Sequence, residues 1–227
     1  MRSTIMEATR RVSLRRTAAV AIGVIMAAAA STTAASATEH TATAKPHSVI
    51  QPNGVGYANS VAVPTVMRSN PTNSTEAVGT AQPGDNIADI CWVSGSGGFW
   101  DLVLERTGAG GDHFSNTAAF LPEANLSDSG HNQATSCNSL SNVNTDTSVN
   151  HEPATLWAAA WSSSATVGNA YSGDVLEDLC RIQSGDGSWW DLTIDLAGHA
   201  GDHLPNLSSF IPETSLNAYQ TYQCGQS

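Results

Sequence analysis

The residues best suited to chemistry are two copies of one tripeptide, Gly111-Asp112-His113 and Gly201-Asp202-His203. A carboxylate beside an imidazole could bind a divalent cation, or could set the tautomer of a histidine that moves protons. Neighbouring side chains on an extended segment point apart, however, so the two cannot easily share one ligand. The alternative is a turn in which Asp caps backbone N–H groups and His packs or hydrogen-bonds. On that reading, Gln in place of both histidines leaves folding nearly intact. Ala in place of both aspartates then costs about 1 kcal/mol per lost bond. The turn reading is preferred, and His199, an extra imidazole in the second copy only, weakens a shared-metal site further. No nucleophile elbow, HExxH or phosphate loop occurs, and Glu177-Asp178 reads as a solvated edge rather than a glycosidase pair. No catalytic residue, cofactor or metal ligand is assigned.

Four cysteines provide the other reactive groups. Cys91 and Cys137 lie 46 residues apart, Cys180 and Cys224 lie 44 apart, and no CxxC or close Cys/His pair suggests zinc. The simplest pairing is Cys91–Cys137 and Cys180–Cys224, with two other connectivities open. Aromatic residues supply candidate contact surfaces. Trp100 and Trp190 belong to an apolar strand face, with Phe99 and Trp189 preceding them on the opposite face. Trp92, Trp157, Trp161, Tyr57, Tyr219 and Tyr222 have no secure core place. They either stack on a sugar or peptide, or cover barrel ends and the contact between modules.

These residues belong to a duplicated frame. Ala77-Val-Gly and Gly84-Asp85 recur 89 residues later at Thr166-Val-Gly and Gly173-Asp174, as does Asp89-Ile-Cys91 at Asp178-Leu-Cys180. After one inserted residue the offset is 90. Phe99-Trp-Asp-Leu102 then matches Trp189-Trp-Asp-Leu192, and Phe120-Leu-Pro-Glu123 matches Phe210-Ile-Pro-Glu213. Two modules result, at 56–137 and 151–227, joined by a polar linker at 138–150 and preceded by a flexible lead at 38–55. Trp100, Leu102 and Leu104 alternate with Asp101, Val103 and Glu105, the pattern of a half-buried strand. Trp190, Leu192 and Ile194 repeat it. Glycine-rich turns at 94–98 and 185–187 close hairpins, and Pro122–Asn125 suits one 3₁₀ turn. No other helix is expected, so the fold class is all-β.

The first 37 residues read as a signal peptide. Arg10, Arg11, Arg15 and Arg16 precede an apolar run from Ala18 to Ala30 and a small-residue site at Ala35-Ser36-Ala37. The run is too short to span a bilayer at ~20 residues. The segment also resembles a twin-arginine signal, without its usual aromatic residue, so general secretion is the preferred route. After cleavage four cations remain against nineteen acids, a net charge of −15. Such a chain does not suit nucleic acid or an anionic membrane surface. A secreted monomer with structural disulfides is expected.

Val66-Met-Arg-Ser-Asn-Pro-Thr-Asn-Ser-Thr75, Ala77-Val-Gly79 and Pro83-Gly-Asp85 resemble the opening of bacterial SH3 (SH3b) domains. Trp100-Asp-Leu-Val103 and Phe120–Leu126 fill the places of the family's later strand and closing motif. The second module keeps Val167-Gly168, Gly173-Asp174, Trp190 and Phe210 but has Trp157–Trp161 in place of the Arg-Ser signature. The resemblance implies two tandem small SH3-like barrels, each with one disulfide. It implies a non-catalytic exported binding protein for peptidoglycan peptide or another envelope ligand. The alternative is a module that binds or inhibits an exported protein through the Gly-Asp-His loops, which are longer than the family's turn. The candidate ligand-binding residues are Phe99, Asp112, His113, Trp189, Asp202 and His203.

Overall fold

A computed structural model describes residues 50–51, 54–108, 112–129, 135–137, 145–199 and 201–225. The segment read as a signal peptide and almost all of the lead lie outside the described residues. A short hairpin, β1 (Ile50–Gln51) and β2 (Gly54–Val55), precedes the first repeat. That repeat contains β3 (Tyr57–Ser60), β4 (Thr65–Arg68), β5 (Ala77–Ala81), β6 (Asn86–Gly95), β7 (Gly98–Glu105) and β8 (Thr117–Pro122). A 3₁₀ turn at Glu123–Asn125 and a short β9 (Thr135–Ser136) follow. The second repeat contains β10 (Thr145–Thr147), β11 (Ala154–Trp157), β12 (Thr166–Ala170), β13 (Leu176–Gln183), β14 (Trp189–Asp195) and β15 (Leu207–Pro212), then a 3₁₀ turn at Glu213–Ser215. β10 thus arises within the polar stretch between the repeats. Among the described residues no helix is long and apolar enough to cross a membrane.

The two repeats build sheets of the same order, β3-β6-β7-β8-β4-β5 and β10-β13-β14-β15-β11-β12, with β9 added parallel to β6. The all-β expectation holds, but the sheets are open rather than closed barrels. Their near-closure rests on single antiparallel bridges, Val61 to Leu126 and Val149 to Leu216. Both disulfides are present, Cys91–Cys137 and Cys180–Cys224.

The local sequence explains the central hairpins. Gly97 and Gly98 at the β6–β7 turn take φ of +86° and +149°, where a Cβ is disfavoured. In both long strands a bulge falls between Asp and Cys, at Ile90 in β6 and Leu179 in β13. A bulge inserts one unpaired residue and shifts the alternation of faces. Ile90 and Cys91 therefore both join the same apolar cluster, while Asp89 and Trp92 sit in register with Val103 and Asp101 of β7.

Each sheet is buried on both faces. One face of the first sheet covers its own core of Val61, Met67, Ile87, Val103, Leu121 and Leu126. The second sheet has the matching core of Leu156, Leu176, Leu207, Ile211 and Leu216. The other faces meet in a core shared by the two repeats: Trp100, Leu102 and Phe120 from one, Trp190, Leu192 and Phe210 from the other, with all four cysteines. This corrects the half-buried reading of β7 and β14. Asp101 is 2% exposed and Val103 and Glu105 are fully buried, because this face lies against the repeat's own core, whereas the repeat partner covers the opposite face of Trp100, Leu102 and Leu104. Backbone bonds cross the junction reciprocally. The Ala118 amide donates to Ala158 O at 2.8 Å, and the Ser208 amide donates to Ser69 O at 2.9 Å.

Candidate functional site

Among the described residues, Asp112-His113 and Asp202-His203 make matching contacts in the two repeats. His113 places Nδ1 2.7 Å from Asp112 Oδ1 and Nε2 2.8 Å from Glu105 Oε2. His203 places Nδ1 3.0 Å from Asp202 Oδ2 and Nε2 2.9 Å from Asp195 Oδ2. The acceptor carboxylates sit at the ends of β7 and β14, where Glu105 takes the Thr107 and Gly108 amides and Asp195 takes those of Ala197 and Gly198. Asp202 reaches across to the Asn169 amide of β12 at 2.7 Å. Each loop is therefore tied to a strand end on one side and to the edge of β5 or β12 on the other.

The expectation that Asp and His point apart fails here, because the segment bends and is not extended at this point. Both imidazoles are almost completely covered, at 1% and 2% side-chain exposure. Burial alone would push them down, but the bonds to two carboxylates outweigh it and raise both histidines above the ordinary imidazole value. With both ring nitrogens engaged, neither ring offers a lone pair for a metal or a substrate proton. The geometry supports a packed, hydrogen-bonded histidine, as the turn reading has it, but makes each ring a buried clasp between two carboxylates rather than a dispensable part of a turn. The Val-Gly of the repeat has its cause here too: a Cβ on Gly79 would lie 2.8 Å from the His113 ring, and one on Gly168 would lie 3.1 Å from His203 Nδ1. Sequence reasoning missed Glu105 and Asp195 as partners; their signal was an acid at the same repeat position.

A second feature is a pair of buried aspartates in each repeat. Asp89 on β6 and Asp101 on β7 are 1% and 2% exposed; Asp178 and Asp191 are fully buried. The solvated-edge reading of Asp178 is thus overturned: the sheet packs its side chain inward. Tyr57 donates to Asp89 at 2.7 Å, and the Gln220 amide donates to Asp178 at 2.6 Å. Burial drives Asp89 and Asp178 up to about 7. Burial together with the neighbouring aspartate drives Asp101 up to about 9 and Asp191 up to about 8. Arg181, in register with Asp191 and bonded to Glu213 at 2.9 Å, moderates the second pair. Trp92 occupies the matching place in the first repeat.

The remaining sequence candidates are the rings beside the central hairpins. Phe99 is 39% exposed and meets Trp92 edge-on at 5.3 Å. Trp189 lies under the Arg181 guanidinium at 4.3 Å. Both rings line hollows, Phe99 one of about 270 Å³ and Trp189 one of about 540 Å³ between the repeats. Trp100 and Trp190 are core, as expected, with their indole N–H groups bonded to Ser96 O and Ser188 Oγ. The structure does not gather the six candidates into one place. It separates two loop clasps from two hairpin rings. Of the aromatics without a core place, Trp157 packs on the shared core, while Trp161, Tyr219 and Tyr222 are exposed. Neither a family model nor a curated protein sequence matches the chain.

Proposed function

We propose that the chain is a secreted, non-catalytic binding protein of two SH3b-like modules that takes a peptidoglycan peptide or another envelope ligand. The observation that carries this is the pair of part-exposed, rigidly backed rings at equivalent positions, Phe99 against Trp92 and Trp189 against Arg181. Preorganised aromatic faces beside a hollow favour a planar or apolar ligand group at small entropic cost. The SH3b likeness is supported by the meander β6–β8, the 3₁₀ turn and the return to the first strand in each repeat. Two buried disulfides support export. Sedimentation with purified cell wall tests the reading. Binding at low and moderate salt is expected, and failure to sediment with any wall preparation overturns it.

One observation favours the protein-partner alternative. Phe114 and Leu204, next to the two buried histidines, are 44% and 49% exposed at equivalent loop positions. Recovery of a stoichiometric exported protein from culture fluid would favour that role over wall binding.

A further inference from the structure

The hollow between the repeats collects most of the positive charge among the described residues. Among the described residues there are three cations, Arg68, Arg106 and Arg181. Arg68 is tied to the Thr75 carbonyl. The other two both line this cleft, with Trp189, Asn116, Gln183 and Gln223. In a chain of net charge −11, such convergence needs a reason. The duplication does not supply one: the repeat equivalents of Arg106 and Arg181 are Leu196 and Trp92. The two arginines come from non-matching positions in different repeats, so only this cleft carries them.

The arginines differ in state. Arg181 is held by Glu213 through Nη1 and by the Trp189 face, which fixes its plane. Its buried Nε has no hydrogen-bond partner. The Arg106 guanidinium makes no hydrogen bond or ion pair among the described residues and lies against the backbone of Gly225, where any side chain would collide with it. Burial without a counter-charge lowers its basicity, a cost that an anion would remove. Leu104 and Ile182 give the cleft an apolar wall. A volume of about 540 Å³ lies in the range of small-molecule sites.

We propose that this cleft binds a ligand bearing a free carboxylate beside an apolar or aromatic group, with Arg106 as its charge partner and Trp189 as its stacking surface. This rests on the binding-protein reading and names the ligand class of one site. A guanidinium holds a carboxylate by paired charge-assisted bonds, and a lysine would hold it less well. A free amino-acid derivative and a peptide C-terminus share this chemistry, and the probes separate them.

The test is calorimetric and fluorescence titration of the intact protein with N-acetyl-leucine, N-acetyl-tryptophan and a tripeptide, each as free acid and as amide. Free acids are expected to bind at least about tenfold more tightly than amides. Tighter binding of the tripeptide acid assigns the carboxylate to a chain terminus; equal binding assigns it to the single residue. Arg106→Gln should erase the acid preference, Arg106→Lys should keep part of it, and Arg68→Gln should leave it unchanged. Equal binding of acids and amides, no binding of any acid, or an intact preference in Arg106→Gln would overturn the proposal. Wall sedimentation fails independently: protein that sediments yet ignores the acids overturns the cleft alone. Protein that binds the acids yet never sediments overturns the wall ligand alone.

Discussion

The Ser208 amide of the second repeat donates to the Ser69 carbonyl of the first at 2.9 Å, sealing the junction where the two sheets bury each other's faces. Neither repeat is therefore a self-sufficient domain. A fragment covering only residues 50–137 would expose Trp100, Leu102 and Phe120, and exposed patches of that size drive association. Each half expressed alone should be aggregated or self-paired in size-exclusion chromatography. Mixed halves should recover a one-to-one complex. A well-folded monomeric half would contradict the shared core.

The histidine clasps make a stability prediction opposite to that of simple turn formers. His113→Gln removes one partner of Glu105, a carboxylate with no exposure, and should cost roughly 1–3 kcal/mol. Asp112→Ala removes a carboxylate that is 47% exposed and should cost less. Urea unfolding of the two variants checks the order; a milder effect of the histidine change would return these residues to the role of turn formers.

Stability should fall as pH rises above neutrality. Asp101 and Asp191 bind protons more tightly folded than unfolded, with values of about 9 and about 8 against an ordinary 3.8. Such groups favour the folded state fully below the unfolded value, and that advantage is lost as pH climbs through the folded one. His113 and His203 are raised as well, so their contribution is also lost above their ordinary 6.5. Glu105 and Asp195 are lowered and act in the opposite sense, their contribution disappearing as pH drops below about 4. The melting temperature should peak in mildly acidic buffer and fall by roughly 5 °C or more towards pH 9. Asp101→Asn should flatten the alkaline limb, and a melting curve that rises from pH 6 to 9 would contradict the buried pairs.

Reduction should unfold both repeats together. Both bridges lie in the common core, and each closes a loop of more than forty residues, worth about 4 kcal/mol in the chain-entropy account. Calorimetry with reductant should show one transition at lower temperature; two separated transitions would mean independent modules.

Much of this architecture was legible in the sequence. The 89–90 residue offset exposed the duplication, the glycine turns marked the hairpins, and cysteine spacing within each copy pointed to the pairing seen. These are local signals, carried by backbone freedom and period-two patterning. Asp101, Val103 and Glu105 were misread as a wet face because alternation reports two chemically different faces, not whether either meets water; here the repeat's own core covers one and the repeat partner the other. Both ends of the Asp112–His113 pair were visible, but their contact depended on a bend that no spacing rule encodes.

The sequence by itself determined an all-β chain, its two-fold repetition and the cysteine positions that permit two bridges within repeats. Only the tertiary structure decided that the repeats share one core, that each histidine is locked between two carboxylates, and that Arg106 and Arg181 meet at one cleft. The physical reason is range. Turn chemistry and strand alternation act over a few residues, whereas sheet-on-sheet burial joins groups such as Ser69 and Ser208, 139 residues apart.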